Sequence, residues 1–301
     1  MNFIVREASG RDVPEMGRIF FESFNDFNRS VGLSPEWPSM EFACNAVQGF
    51  VDHPGYKAFV AVNAEGRVVG SNFLECHDFV AAPGPISVDS GRQNRGVGRL
   101  LMQAVIDCAQ EMGKTSIQGV QLASNTKSYA LYADMGFIPR EQLVALVGFP
   151  SGIHNEFSKF EARPMMEQDA PHCIDLFHAQ NGYSRARDIS LAAQRISPWA
   201  DPFVVEDGSG EIVGYTTGLS LLGHMSCTSE ESMRALYVKA SAQISDINGN
   251  PPLIHIPARL YPETVQWAIQ RGVKVLRLET LISIGEFNYP KSGVYCPGMA
   301  Y

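Results

Sequence analysis

The chain has 301 residues, 45% of them hydrophobic, more than one compact domain usually holds, so two domains are expected. Its formal net charge of −8 argues against a nucleic-acid partner, which needs clustered Lys and Arg, and suits approach of a cationic substrate such as a primary amine. Without an apolar run near membrane-span length, a signal-peptide layout at Met1–Glu7, or any Cys-x-x-Cys pair among six cysteines, a cytoplasmic chain with no membrane contact, metal or disulfide framework is expected.

In chain order, Arg6, Asp12 and Pro14 precede an apolar-periodic segment that predicts a helix ending near Phe20. Phe59-Val60 and Val68-Val69-Gly70 flank a turn at Gly66, which reads as a strand-turn-strand hairpin. Gly84–Val88 is a further strand, and Val88 through Arg99 reads as a strand end, a glycine-bearing turn and a helix start. Backbone N–H groups of a first helical turn lack intrahelical partners and sit at the positive end of the helix dipole, so this order builds an anion site. Two phosphate motifs do not fit it. Gly91 and Gly96 have P-loop spacing, but Val97 and Gly98 stand where Lys and Ser or Thr are needed, and no glycine follows Gly98 at dinucleotide spacing. The helix continues through Leu101, Ala104, Val105, Cys108 and Met112, with Gly113 as its stop.

A second segment runs Asn125-Thr126-Lys127-Ser128-Tyr129-Ala130-Leu131-Tyr132-Ala133-Asp134-Met135-Gly136-Phe137. Together with Gln93-x-x-Gly96-x-Gly98 it resembles the GCN5-related N-acetyltransferases (GNAT) over residues 1 to about 148. The resemblance implies an α/β fold with a mixed sheet and acetyl-CoA as cosubstrate, held by Val88, Gln93, Asn94, Arg95, Gly96, Val97, Gly98, Arg99, Asn125 and Tyr132. The pantetheine arm would lie beside Gly84–Val88. Tyr132 would protonate the departing thiolate, facing the cofactor if Leu131 packs inward, and Asn125 could equally cap a helix. Glu75, Asp78 and Asp89 are carboxylates near strand ends, of which Glu75 is favoured as base. Asn25–Gly32 lies where this family places an acceptor-binding loop, with Phe27 and Trp37 either lining a pocket or closing the core. Ser90 departs from the Pro common in relatives, which should loosen the turn.

The chain also repeats. Arg6, Asp12 and Pro14 recur as Arg163, Asp169 and Pro171; the hairpin at Phe59–Gly70 recurs at Phe203–Gly214; Leu131–Phe137 aligns with Trp267–Val273. Two copies of one fold are expected, a GNAT domain over 1–148 with the acetyl-CoA site and a degenerate one over 157–301. The second lacks a cofactor loop between its hairpin and a helix from about Ser229 to Gln243, has Ala268 at the Tyr132 position and Tyr261 at the Asn125 position. The expected activity is acetyl transfer to a primary amine of a small molecule or peptide; a non-catalytic acyl-CoA sensor and a tandem enzyme similar to mycothiol synthase are the alternatives. His77, His154, His224 and His255 show no metal-ligand spacing and read as structural or solvated. The chain end offers two roles, a strand sealing the second sheet or a catalytic terminal carboxylate at Tyr301. Acceptor identity and oligomeric state are not legible.

Overall fold

The computed structural model describes residues 3–153, 155–248 and 251–299. The chain forms two compact units, Met1–Ile117 and Gln118–Tyr301.

In the first unit, β1 (Ile4–Glu7) leads through a 3-10 turn at Gly10–Asp12 into α1 (Val13–Ser30) and α2 (Met40–Asp52). There follow β2 (Tyr56–Val62), β3 (Val68–Glu75), β4 (Val80–Pro83), β5 (Ser87–Val88), α3 (Val97–Glu111) and the first residues of β6 (Ser116–Leu122). β1, β2 and β3 pair antiparallel in turn, and β3 carries both β4 and β5 on its other edge. β4 runs parallel to β6 through Val80↔Ser116 and Ala81↔Ile117. β3 is buried along its whole length, with α1 and α3 packed against it.

Two glycines permit this packing. A Cβ on Gly17 would stand 2.4 Å from Cys44 Sγ and 2.9 Å from its Cα, so glycine lets α1 and α2 close together. A Cβ on Gly70 would meet the Ser87 carbonyl oxygen at 2.7 Å where β5 lies on β3. α1 continues well past Phe20, contrary to the sequence expectation. The polar residues that suggested a loop are buried and bonded: Asn25 donates to Trp37 O (2.9 Å) and accepts from Trp37 N (3.0 Å), while Asn28 donates to Ser34 O (3.1 Å). The half-buried Trp37 ring packs tilted against buried Phe20, centroids 4.9 Å apart.

The second unit takes in the rest of β6, then α4 (Thr126–Asp134), β7 (Ile138–Val147), β8 (Glu161–Pro164), α5 (Ala170–Asn181), α6 (Ala186–Ala193), β9 (Phe203–Glu206), β10 (Ile212–Thr216) and β11 (Met225–Cys227). It ends with α7 (Glu230–Asn248), β12 (Leu253–Pro257), α8 (Pro262–Gln270), β13 (Lys274–Gly285) and β14 (Val294–Cys296). β7 lies between β12 and β13, antiparallel to both. A five-stranded sheet runs β14-β11-β10-β9-β8. α7 fills its core with Met233, Leu236 and Tyr237 against Phe203, Met225 and Trp267.

The repeat holds at the level of single bonds. Arg6 clamps Asp12 through two bonds (2.9 and 2.7 Å), and Arg163 clamps Asp169 likewise (2.6 and 3.0 Å). Arg6 pairs with Val60 across its sheet and Arg163 with Val204. Gly66 and Gly210 turn the hairpins at φ 76° and 83°, and Gly136 and Gly272 end α4 and α8 at φ 92° and 86°. The spatial division nevertheless precedes the 1–148 and 157–301 segments of the repeat, since β7 pairs with β12 and β13. Among the described residues, no helix is long and apolar enough to cross a membrane.

Candidate functional site

The anion loop is built from the end of β5. Asp89 caps a 3-10 turn at Ser90–Arg92, accepting from Gly91 N at 2.9 Å, while its own amide donates to Val69 O at 3.0 Å. Ser90 therefore does not loosen the turn, because the Asp89 cap supplies the order. Arg18 on α1 anchors the other oxygen of Asp89 at 3.0 Å and also pairs with Glu15 (2.7 Å) and Glu22. Gln93 donates back to Val88 O at 3.3 Å.

Asn94 (φ 59°) and Gly96 (φ 85°) take left-handed conformations and swing the chain into α3. Gly96 is the N-cap and no side chain caps it. No cap side chain thus takes a first-turn donor of α3, as a Ser or Asp would. A Cβ at Gly96 would meet nothing within 4 Å, so the loop is open on that side. Gln93, Asn94, Arg95 and Arg99 are exposed and Val97 is buried. This donor set fits a pyrophosphate. The α3 core stripe is Val97, Leu101, Met102, Val105, Ile106 and Ala109, rotated from the expected one. Met112 is exposed because the helix ends at Glu111, before its last turn could bury that residue.

Glu75 closes β3 opposite Ala82 of β4, and its side chain is 7% exposed. His77 Nδ1 lies 3.3 Å from its Oε1. Asp89 is taken by its cap and by Arg18. Within the first unit the loop leaves β5 where Val88 pairs with Gly70, and Glu75 pairs with Ala82 at the other end of β3.

Asn125 and Tyr132 belong to the second unit. Asn125 is the N-cap of α4, its side chain accepting from Ser128 N at 3.1 Å. Tyr132 is buried and Leu131 half-buried, the reverse of the expected orientation. Tyr132 packs on Phe137 at 5.8 Å, which turns that face of α4 inward. Burial pushes the Tyr132 phenol up to about 12, with a Ser128 hydrogen bond opposing, so it carries its proton at neutral pH. Tyr301 lies outside the described residues, as does His154. Among the described residues, no group of three or more His, Cys, Asp or Glu could hold a metal ion.

The corresponding place in the second unit is closed. Thr228 N bonds Val213 O as Asp89 N bonds Val69 O, which marks equivalent positions, yet α7 begins at Glu230 with only Thr228 and Ser229 intervening. Ser229 and Ser232 cap each other reciprocally at 3.1 Å, using first-turn donors, and Glu230 and Glu231 add negative charge. The outer edge of β11 is paired by β14, Ser226↔Tyr295 and Cys227↔Val294. Tyr295 accepts from buried Arg185 at 2.8 Å; Arg185 holds Asp188, and Asp188 faces His224 at 3.2 Å.

Sequence reasoning missed Arg18 and His77. Glu15 and Glu22 at helical spacing around Arg18 were visible signals, but its bond to Asp89 is a tertiary contact. His77 had only the nearby Glu75 and Asp78 to mark it.

Residues 18–137 match the acetyltransferase (GNAT) family. Over 99% of this chain and 94% of theirs, the fold is similar to a protein from Pyrococcus horikoshii assigned as an acetyltransferase, with 14% identity and a TM-score of 0.74. A GCN5-related N-acetyltransferase from Sphaerobacter thermophilus is similar over 94% of this chain and 95% of that one, with 16% identity and a TM-score of 0.64. A tandem GNAT protein from the clavulanic acid biosynthesis pathway is similar over 94% of this chain and 98% of that one, with 12% identity and a TM-score of 0.60. No curated protein matches the sequence.

Proposed function

We propose, for a chain whose residues 18–137 match the acetyltransferase (GNAT) family, that it transfers an acetyl group from acetyl-CoA to a primary amine. The observation carrying this reading is the uncapped start of α3, where left-handed Gly96 has no side chain to take the first-turn donors from a polyanion. Val88, Gln93, Asn94, Arg95, Gly96, Val97, Gly98 and Arg99 would hold the pyrophosphate end of the cosubstrate, with Asn125 and Tyr132 as further contacts by resemblance. When bound, acetyl-CoA supplies an activated thioester.

The reaction forms one C–N bond and breaks one C–S bond. The substrate ammonium gives up two protons: one goes to Glu75 and then to solvent, and the other, lost from nitrogen as the C–N bond forms, restores to Tyr132 the proton that it delivers to sulfur. The acid role of Tyr132 rests on the resemblance: a phenol keeps its proton at neutral pH, and burial raises its pKa further. The 1–148 segment would carry this chemistry and 157–301 would act as scaffold. For the chain end we propose the structural role, since β14 pairs with β11 and Met299 N donates to Leu221 O at 2.9 Å.

Titration calorimetry tests the reading: one coenzyme A per chain is expected, with binding lost in Gly96→Asp. Aspartate tolerates the left-handed conformation better than most residues and its Cβ meets no neighbour there, and its carboxylate would both occupy first-turn donors and repel the pyrophosphate. Two equivalent sites, or undiminished binding in the variant, would sink the assignment of the loop. Binding without thiol release across a panel of amines would favour the sensor alternative.

A further inference from the structure

We propose that His77 is a positioning residue for Glu75, its Nδ1–H holding the carboxylate that takes the proton of the amine. This deepens the proposed function and rests on it. His77 is nearly sealed, its side chain 5% exposed. Nδ1 lies 3.2 Å from Gly55 O and 3.3 Å from Glu75 Oε1. A backbone carbonyl only accepts, so the hydrogen is on Nδ1, and the second acceptor within its reach is Glu75. Nε2 is buried without a hydrogen-bond partner among the described residues, and Asp78 Oδ2 stands off at 3.7 Å. The ring is thus committed through one nitrogen.

Gly55 is the cradle for this ring. A Cβ there would stand 2.0 Å from His77 Nδ1 and 2.4 Å from Cε1. The Gly55 backbone is outside the left-handed region, so the chain conformation does not demand glycine; the imidazole does. The cradle is itself fixed, since Gly55 N donates to His53 Nδ1 at 3.1 Å and Gly55 O accepts from Cys76 N at 3.0 Å. The other titratable groups around the ring are His53 after α2, whose ring lies 6.1 Å away, Tyr56 of β2 opposite Glu75, and Lys114 after α3, which donates to Asp78 O. A ring locked between a carbonyl and one carboxylate oxygen restricts the rotamers of Glu75.

Two measurements on the full chain test this. The first follows thiol release from acetyl-CoA with n-butylamine, spermidine and phenethylamine, using whichever the wild type turns over fastest. His77→Gln and Gly55→Ala should each lower kcat about tenfold with the KM for acetyl-CoA unchanged. The double variant should be no worse than the poorer single, since both act through one ring. Unchanged kcat in folded His77→Gln, or losses that multiply in the double variant, would overturn the proposal. The second needs neither turnover nor a variant that folds: in spectra of the 15N-histidine-labelled chain, neutral His77 should carry its hydrogen on Nδ1. A hydrogen on Nε2 instead would overturn the proposal, because a bare Nδ1 cannot donate to Glu75. Failure of the wild type to acetylate any amine would count against the proposed function, and a hydrogen on Nε2 would still rule out the His77–Glu75 bond.

Discussion

Tyr132 shows what a single residue reveals in each view. Its adjacency to Leu131 established that the two point to different sides, but which one turns inward depends on Phe137 and on the packing of α4, so the orientation was not legible. Burial fixes the chemistry: a phenol held up at about 12 is a donor and never a base near neutrality. Tyr132→Phe should therefore lower the acetyl-transfer rate about 10²-fold while acetyl-CoA affinity by calorimetry stays nearly constant. Unchanged turnover in a rate limited by transfer would remove Tyr132 from the mechanism. Glu75 was legible as a carboxylate at a strand end, whereas its partner His77 was read as structural because the ring lies against Gly55, whose glycine looks like any turn residue in sequence. Asn125 was open between two roles, and the Ser128 amide shows the cap.

At the scale of elements, the starts of α1 and α5 are the clearest case of sequence dictating structure. An Arg six residues before an Asp, with Pro just after, gives a 3-10 turn and a helix in both units, and the Asp also accepts from Ser9 N (2.8 Å) or Met166 N (2.8 Å). The Arg6 guanidinium, the largest influence, holds Asp12 down to about 2, against about 3.9 in an unfolded chain. A depressed carboxylate stabilises the fold above the unfolded value, and that contribution is lost as pH falls from about 4 through about 2. Asp12→Asn should cost about 1–2 kcal/mol at neutral pH and flatten the acid limb of the melting temperature in that window. An unaltered acid limb would show that the clamp does not govern it. Gly17→Ala should destabilise by about 1–3 kcal/mol, because the contact at Cys44 includes backbone that cannot swing aside; chemical denaturation measures it. Periodicity gave no hint of this contact, and it misplaced the α3 stripe because the helix begins at Val97, a core residue the turn seemed to own. The end of α1 was missed for a related reason: Asn25 and Asn28 look like loop residues until Trp37 and Ser34 return to bond them.

For the whole molecule, the internal repeat was fully legible in order and nearly in register, since hairpin turns and helix stops are written in local residues. The division into units was not, because the pairing of β7 with β12 and β13 is a choice of partner that local sequence does not encode. Deleting Met299, Ala300 and Tyr301 should lower the melting temperature while leaving acetyl transfer intact, as expected of a tail that braces Leu221; loss of transfer at an unchanged melting temperature would instead assign the terminal carboxylate a proton-transfer role. Tyr295→Phe should cost about 1–3 kcal/mol in thermal unfolding, since it leaves a buried Arg185 donor without its acceptor.

The pairing of β14 along β11 has a thermodynamic corollary. A strand joined covalently to its receptor is present at a local concentration that no dilution lowers and no free competitor readily matches. β11 should therefore stay paired by β14 whatever the coenzyme A concentration. The first unit, if it binds as proposed, should gain stability with the logarithm of free acetyl-CoA. Scanning calorimetry across an acetyl-CoA series should then show a transition that climbs with ligand, and melting that acetyl-CoA leaves unmoved would count against the proposed binding.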